Sequence, residues 1–449
     1  MTAQWWCEHA WLGGDTVADG VLVSAEDGLI TSVRTGVARP PSALRLNGVV
    51  LPGLANTHSH AFHRALRSHT QRGRGSFWTW RELMYAVAGR LDPGSYLRLA
   101  RAVYAEMAMA GVTVVGEFHY LHHDHDGRPY ADPNAMGLAL VEAAADAGVR
   151  LTLLDTCYLT AGVDGAPLAD GPQRRFGDGD GARWAERAEA LARQVKEHPG
   201  VLVGAAAHSV RAVPPEHLGD VVEWAERHHA PLHVHSSEQT AEVEQCRAVH
   251  GRTPTALLRD AGALGPRTTA VHATHLTAED VRELDRSATG VCFCPTTERD
   301  LGDGIGPAAE LLAGRGGFSL GSDSHAVIDL LEEARAVELD ERLARRERGV
   351  IPAARLLRSA TVDGHRALGR PDGGELAPGM RADLVAVDRA SVRTAGGGAT
   401  VENVVFAASA ADVTDVVVGG RTVVADRRHV TIEDPAGELA SAIREVLEA

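Results

Sequence analysis

The chain has 449 residues and a mass of 47.5 kDa, with 44% hydrophobic and 23% charged residues, enough to bury a large core in one big domain plus an appendage. A formal net charge of −15 argues against nucleic acid or an anionic membrane as partner, and no apolar run approaches the ~20 residues that cross a bilayer. The first residues hold Glu8 and lack the basic start of a signal peptide, so a cytoplasmic protein is expected; the odd set of five cysteines (Cys7, Cys157, Cys246, Cys292, Cys294) fits reduced thiols better than a disulfide framework.

Residues 1 to about 50 read as short strands with turn signals, such as 20–23 and 29–33. The apolar run 49–57 follows and closes on His58, Ser59, His60. Side chains two apart on an extended strand point to the same side, so these imidazoles can grip one metal ion. Helical stretches then alternate with short apolar runs: 97–110 and 112–118, 135–147 and 149–155, 184–198 and 201–207, 215–228 and 231–235. Three further apolar runs end in His233, Val234, His235, Ser236, Ser237, Glu238, then in His272, then in Ser322, Asp323, Ser324, His325. Cys292 and Cys294 read as two small core residues on one face of a strand. The tail, 374–388, 413–418 and 422–424, returns to strand-like runs punctuated by Gly, Pro and Asp.

Repeated strand and helix units of this length predict an α/β protein with a parallel sheet, and about 320 residues suit a closed (β/α)8 TIM-like barrel over 51–374. Active sites of that barrel sit at strand C-terminal ends, where the His and Asp residues fall. An open doubly wound sheet is the runner-up, but no glycine-rich phosphate loop favours it. The two ends, 1–50 and 375–449, are expected to pair into one small β-sandwich domain.

His58, His60, His235 and Asp323 supply three nitrogens and one carboxylate oxygen, a set that suits a catalytic zinc with one position kept for water. Iron or manganese could occupy a similar site. Glu238, just past its strand, reads as a proton shuttle, His272 as a polarising group, and Asp323 as a second proton acceptor. The blander readings are a helix-terminal charge for Glu238 and a satisfied core histidine for His272. The run His119, His122, His123, Asp124, His125 has the spacing of an exposed loop rather than of a second metal site.

The order HxH, His, His, Asp with a flanking β domain resembles the amidohydrolase superfamily. Lys196, the single lysine, lies in a helical stretch, so the bridging carboxylated lysine of binuclear members is not expected. HxxE at His235 to Glu238 resembles the mononuclear deaminase branch. Longer tracts, Ser76 to Tyr85, Gly116 to Asp124, His208 to Arg211 and Cys294 to Glu298, are similar to the formimidoylglutamate deiminases. That resemblance implies conversion of N-formimino-L-glutamate and water to N-formyl-L-glutamate and ammonia in histidine degradation, on one zinc ion. It implies carboxylate-binding roles for Arg81 and Arg211, whose planar forks suit the task, and substrate contacts for His63, Tyr120 and His208. His63 stands where the family usually has glutamine, and Arg299 and Asp300 replace smaller neutral residues. Without the resemblance, Arg81 among aromatics reads as a packing residue. The expected partners are a small dicarboxylate substrate and a second copy of the chain in a homodimer. A zinc deaminase of purine, pterin or another amidine-like substrates is the alternative; a catalytically silent barrel is disfavoured because Glu238 and Asp323 are both present.

Overall fold

A computed structural model describes residues 2–71 and 77–448. Ser76, and the side chains of Phe77 and Trp78 from the same aromatic tract, lie outside the described residues.

The chain begins with β1 (Thr2–Trp11), β2 (Val17–Glu26), β3 (Leu29–Arg34) and β4 (Leu44–Pro52). It then enters eight strands of a second sheet: β5 (Leu54–Ser59), β6 (Val112–His119), β7 (Arg150–Cys157), β8 (Val201–Ser209), β9 (Leu232–Ser236), β10 (Thr268–His272), β11 (Gly290–Phe293) and β12 (Phe318–Leu320). These pair in sequence order, all in parallel. Every residue of β6 and β7 is buried, as expected for parallel strands covered on both faces. The covering helices have local reasons to form and stop. Pro93–Met109 opens on Asp92, which exchanges a capping box with Ser95, and alanine-rich Ala135–Ala147 ends on Gly148 at φ 71°.

The parallel sheet closes into a barrel through the segment that follows β12. Ser59 bridges Asp323, the N–H of His60 donates to Asp323 O at 3.2 Å, and the N–H of Asp323 donates to His58 O at 3.0 Å. Asn56 fastens the same seam, its side chain donating to Ser322 Oγ at 2.7 Å and accepting from Ser322 N–H at 2.9 Å. Gly321 permits this approach: a Cβ there would lie 2.7 Å from His58 Cβ and 2.8 Å from His58 O.

The remaining strands, β13 (Leu384–Val387), β14 (Val413–Val418), β15 (Arg421–Ala425) and β16 (Arg428–His429), join β1–β4 in one mixed sheet, ordered β16-β15-β14-β13-β4-β1-β2-β3. Its halves meet where β4 runs antiparallel to β13, with Val50 opposite Ala386. The far edge curls back. Ile30 and Gly28 of the β2–β3 hairpin exchange backbone bonds with Gly379, Met380 and Ala382, ahead of β13, and the fold encloses Trp5, Val23, Leu46 and Leu384. The apolar run 49–57 therefore serves two sheets. It breaks at Gly53, where a side chain would strike Thr113, so β4 ends at Pro52 and β5 starts at Leu54.

Candidate active site

Strand ends of the barrel bring His58, His60, His235 and Asp323 together, with one ligand atom from each within 4.8 Å of the others. All four residues are buried. His60 Nδ1 pairs with the carbonyl of Phe118 and His235 Nδ1 with that of His208, both at 2.9 Å. A carbonyl only accepts, so both Nδ1 atoms carry the ring hydrogen and both Nε2 atoms present lone pairs to the centre. There His235 Nε2 stands 3.1 Å from His58 Nε2, and Asp323 Oδ1 lies 3.3 Å from His58 Nε2 and 3.4 Å from His60 Nε2. Even with a proton on His58, electron-rich atoms face one another, which a bound cation relieves. Burial and the neighbouring rings push His60 down to about 3 and His235 well below the ordinary range, so both are neutral ligands at neutral pH. Burial pushes the Asp323 carboxyl up, but the surrounding imidazoles outweigh it and hold it far below the carboxylate range. The residues present fit a divalent metal.

Beneath the cluster, Ser59 Oγ donates to Glu117 Oε2 at 2.8 Å, and the N–H of Ala61 donates to Glu117 Oε1 at 2.6 Å. Glu117 thus holds both neighbours of His60, Ser59 by its hydroxyl and Ala61 by its backbone, and burial pushes its carboxyl up to about 7. The turns after the strands are strained: Ser237, His272, Ala273, Asp323 and His325 all take positive φ, between 41° and 68°. Such conformations cost roughly 1–3 kcal/mol each and gather where side chains must be aimed.

Glu238 and His272 stand beside the cluster. His272 Nε2 is 3.9 Å from Glu238 Oε1 and 3.9 Å from Asp323 Oδ2, and its Nδ1 is 3.3 Å from Glu298 Oε1. Burial pulls the imidazolium down, yet the three carboxylates outweigh it and raise the ring well above the ordinary histidine range. Glu298 is fixed in turn by the N–H of Cys294 at 2.9 Å. Asp303, next in this shell, is bound by the Gln239 side chain and pushed up to about 8 by burial and by Glu238.

A pocket opens onto this group. His63, Arg81, Tyr120, His208 and Arg211 all line it, with Trp80, Met84, Tyr85, Tyr158, Phe176 and Leu301 completing the wall. His63 Nε2 and Tyr120 OH share a hydrogen bond of 2.8 Å. Arg81 donates to Tyr85 OH at 2.7 Å and lies 5.0 Å from that ring's centroid, so it packs on an aromatic and faces the pocket at once. Arg211 lies 3.6 Å from Glu238 and 3.7 Å from Glu242. Glu298, Glu242, Asp303, Tyr158 and Phe176 were not singled out as site residues in the sequence; the tract ending at Glu298 carried a signal for that residue, as the tract Ser76 to Tyr85 did for Trp80, Met84 and Tyr85.

The histidine run departs from expectation. His122 and His123 are buried, not on an exposed loop. Their backbone N–H groups both donate to Arg175 O, and His123 Nε2 is 3.2 Å from Asp178, which with Asp155 holds buried Arg187. Chain more than fifty residues downstream covers them. Cys292 and Cys294 are buried against Val271, as core residues. Lys196 is exposed in the turn after the helix Gly181–Gln194.

Residues 49–423 match the amidohydrolase family. The chain belongs to the amidohydrolase family. It is 40% identical over 434 residues to the formimidoylglutamate deiminase of Pseudomonas aeruginosa, covering 94% of each chain. It is 31% identical over 427 residues to the 8-oxoguanine deaminase of the same organism, covering 92% of this chain and 91% of that one. Among solved structures, an amidohydrolase from Brucella melitensis superimposes with a TM-score of 0.92 at 36% identity, over 99% of this chain and all of that one. An adenosine deaminase from Xanthomonas campestris with bound zinc shares the fold at 23% identity and a TM-score of 0.86, over 100% of this chain and 99% of that one. Among the described residues no helix of this amidohydrolase is long and apolar enough to cross a membrane.

Proposed function

We propose that this chain hydrolyses N-formimino-L-glutamate to N-formyl-L-glutamate and ammonia, with one zinc ion held by His58, His60, His235 and Asp323. The observation that carries the reading is the presence of two guanidinium groups, Arg81 and Arg211, in the pocket that opens on this His and Asp cluster. The formimidoylglutamate deiminase relative supports it.

A zinc ion in such a cluster supplies Lewis acidity that makes water a nucleophile at neutral pH. The chain's own residues do the rest. Arg81 and Arg211 take the two carboxylates of the substrate, and Tyr120, His63 and His208 hold its backbone by hydrogen bonds. Glu238 removes a proton from the attacking water and passes it to the imino nitrogen, so a tetrahedral centre with one hydroxyl and two nitrogens forms. Glu238 then carries the hydroxyl proton to the terminal nitrogen, which leaves as ammonia as the formyl C=O forms. His272, held as imidazolium by Glu238, Glu298 and Asp323, stabilises the charge developing on the oxygen.

The aromatic wall of Trp80, Tyr120, Tyr158 and Phe176 favours a second reading, deamination of a planar purine- or pterin-like amidine. Ammonia release by zinc-loaded protein from N-formimino-L-glutamate, N-formiminoglycine, guanine and S-adenosylhomocysteine separates the two, with Glu238→Gln as control. Fast turnover of the first alone, lost in the variant, supports the deiminase; preference for a ring substrate moves the assignment to the second reading. The proposal includes a cytoplasmic homodimer, and light scattering that returns the mass of one chain refutes the dimer.

A further inference from the structure

Arg175 is wholly buried and takes no part in the chemistry above, yet its side chain ties together segments that wall the pocket. It lies in the short 3-10 turn Pro172–Phe176. Its Nε donates to His123 O at 2.9 Å, its Nη1 to Ala88 O, and its Nη2 to Leu91 O at 2.6 Å and to Tyr130 OH at 3.2 Å. Ala88 and Leu91 stand at the C-terminal end of the helix Phe77–Arg90, where carbonyls lack partners within the helix and a cation is favoured. That helix presents Trp80, Arg81, Met84 and Tyr85 to the pocket. Its end abuts the 3-10 turn: a Cβ on Gly89 would lie 3.2 Å from Pro172 Cγ, and Gly89 O is paired with His125 Nδ1 at 2.7 Å. Phe176, the residue after Arg175, lines the pocket with its ring 5.0 Å from Tyr120 and 6.0 Å from Tyr85, centroid to centroid. The acceptors of the guanidinium are all uncharged, so what it supplies is geometry, a planar fork that reaches separate carbonyls at once as one ammonium does not.

We propose that Arg175 is a positioning residue for dicarboxylate recognition: by fixing the end of the helix Phe77–Arg90 against the turn that carries Phe176, it sets where Arg81 stands relative to Arg211. The inference rests on the reading of those two arginines as carboxylate-binding groups. Without the fork, the carbonyls of Ala88, Leu91 and His123 lose their donor and the helix no longer has one fixed seat. Arg81 then meets its carboxylate in a fraction of molecules, and dicarboxylate affinity falls by that fraction. His58, His60, His235 and Asp323 stand on other strand ends than the one the fork touches, so the reacting centre keeps its geometry and kcat is retained. A general loss of structure instead lowers metal content, melting temperature and kcat together.

The test is a double-mutant cycle between Arg175 and Arg81. Arg175→Lys keeps the charge and loses the fork, Arg175→Gln is a second variant that loses both, and each is made in the wild type and in Arg81→Ala. Glutarate binding is measured by calorimetry on zinc-loaded proteins of verified metal content and melting temperature, beside steady-state kinetics with N-formimino-L-glutamate. Either Arg175 variant is expected to weaken glutarate binding and to raise KM about tenfold, with kcat within about threefold of wild type. In the Arg81→Ala background the same change is expected to shift glutarate binding by less than about twofold, because the group it positions is already gone. A double variant whose loss is the product of the two single losses overturns the proposal, as does unchanged glutarate binding in the single Arg175 variants. Loss of fold or of metal in both Arg175 variants makes the residue a general structural one and overturns it too. If Arg81→Ala leaves glutarate binding intact, the reading of Arg81 falls and the proposal falls with it. If the wild type does not turn over N-formimino-L-glutamate but the cycle on glutarate is coupled, the substrate assignment falls and the role of Arg175 stands.

Discussion

Replacing Glu298 by glutamine tests how His272 is kept charged. The change preserves size and an oxygen for the Cys294 N–H while removing a carboxylate 3.3 Å from His272 Nδ1. At that distance and an effective dielectric of about 20, a carboxylate and an imidazolium attract by on the order of 5 kcal/mol before desolvation is subtracted. Glu238 and Asp323, each 3.9 Å from the other ring nitrogen, contribute about 4 kcal/mol apiece on the same scale. Glu298 therefore supplies about a third of the field that holds the proton. Neutralising it also relieves its own burial, so about 2–3 kcal/mol remains, a roughly 30- to 150-fold fall in kcat. The assay is ammonia release from N-formimino-L-glutamate, with metal content and N-formyl-L-glutamate affinity measured on the same preparations, both expected to match wild type. A metal-replete variant whose kcat stays within about threefold of wild type would show that Glu298 does not set the state of His272.

Gly321→Ala is expected to cost about 3 kcal/mol and to lower metal content, because the added methyl meets His58 across the seam; thermal melts and metal analysis check both, and wild-type values for the two would refute the seam's tightness. Acid should destabilise the fold through His233 and His365, which burial pushes down to about 4 each while they bond the carbonyls of Ala367 and Gly53. Between that value and the ordinary histidine value of about 6.5 the unfolded chain binds protons that the folded chain does not, so stability is complete above about pH 6.5 and is lost as pH falls toward about 4, up to about 3 kcal/mol per ring. Melts across that window test it: His365→Gln should flatten the slope, and a flat wild-type profile contradicts the argument. Chelation is expected to abolish activity and to lower Tm, since a ligand at a thousand times its Kd contributes about 4 kcal/mol; restoration of both by zinc is the check, and an unchanged Tm would show that the cluster does not hold the ion.

The barrel was legible because its signal is repeated: helices such as Ala135–Ala147 and strands such as β6 recur with the period that builds a parallel sheet, and each residue of the His and Asp cluster follows an apolar run. The resemblance to known deaminases added the arginines, which no periodicity marks. What stayed hidden depends on contacts between distant segments. Glu298, in the helix Pro295–Leu301 after β11, and His272, at the end of β10, share a hydrogen bond 26 residues apart, a spacing that carries no local pattern. His122 and His123 have loop-like neighbours and are buried because Arg175 and Asp178 close over them. The break at Gly53 is dictated by Thr113, a residue of β6 with no mark in the run 49–57.

The seam gives the His and Asp cluster a place in the order of assembly. Asn56 and Ser322, which fasten it, are 266 residues apart, and His58 and Asp323 exchange backbone hydrogen bonds beside them. Closing so long a loop comes at an entropic cost that nearer contacts do not carry. Asp323 therefore reaches the histidines only when the last strand has been laid down, and a nascent chain that ends before residue 323 holds three imidazoles on an open sheet. An ion bound across His58, His60 and Asp323 is a clasp as well as a reagent, joining the first turn of the barrel to its last.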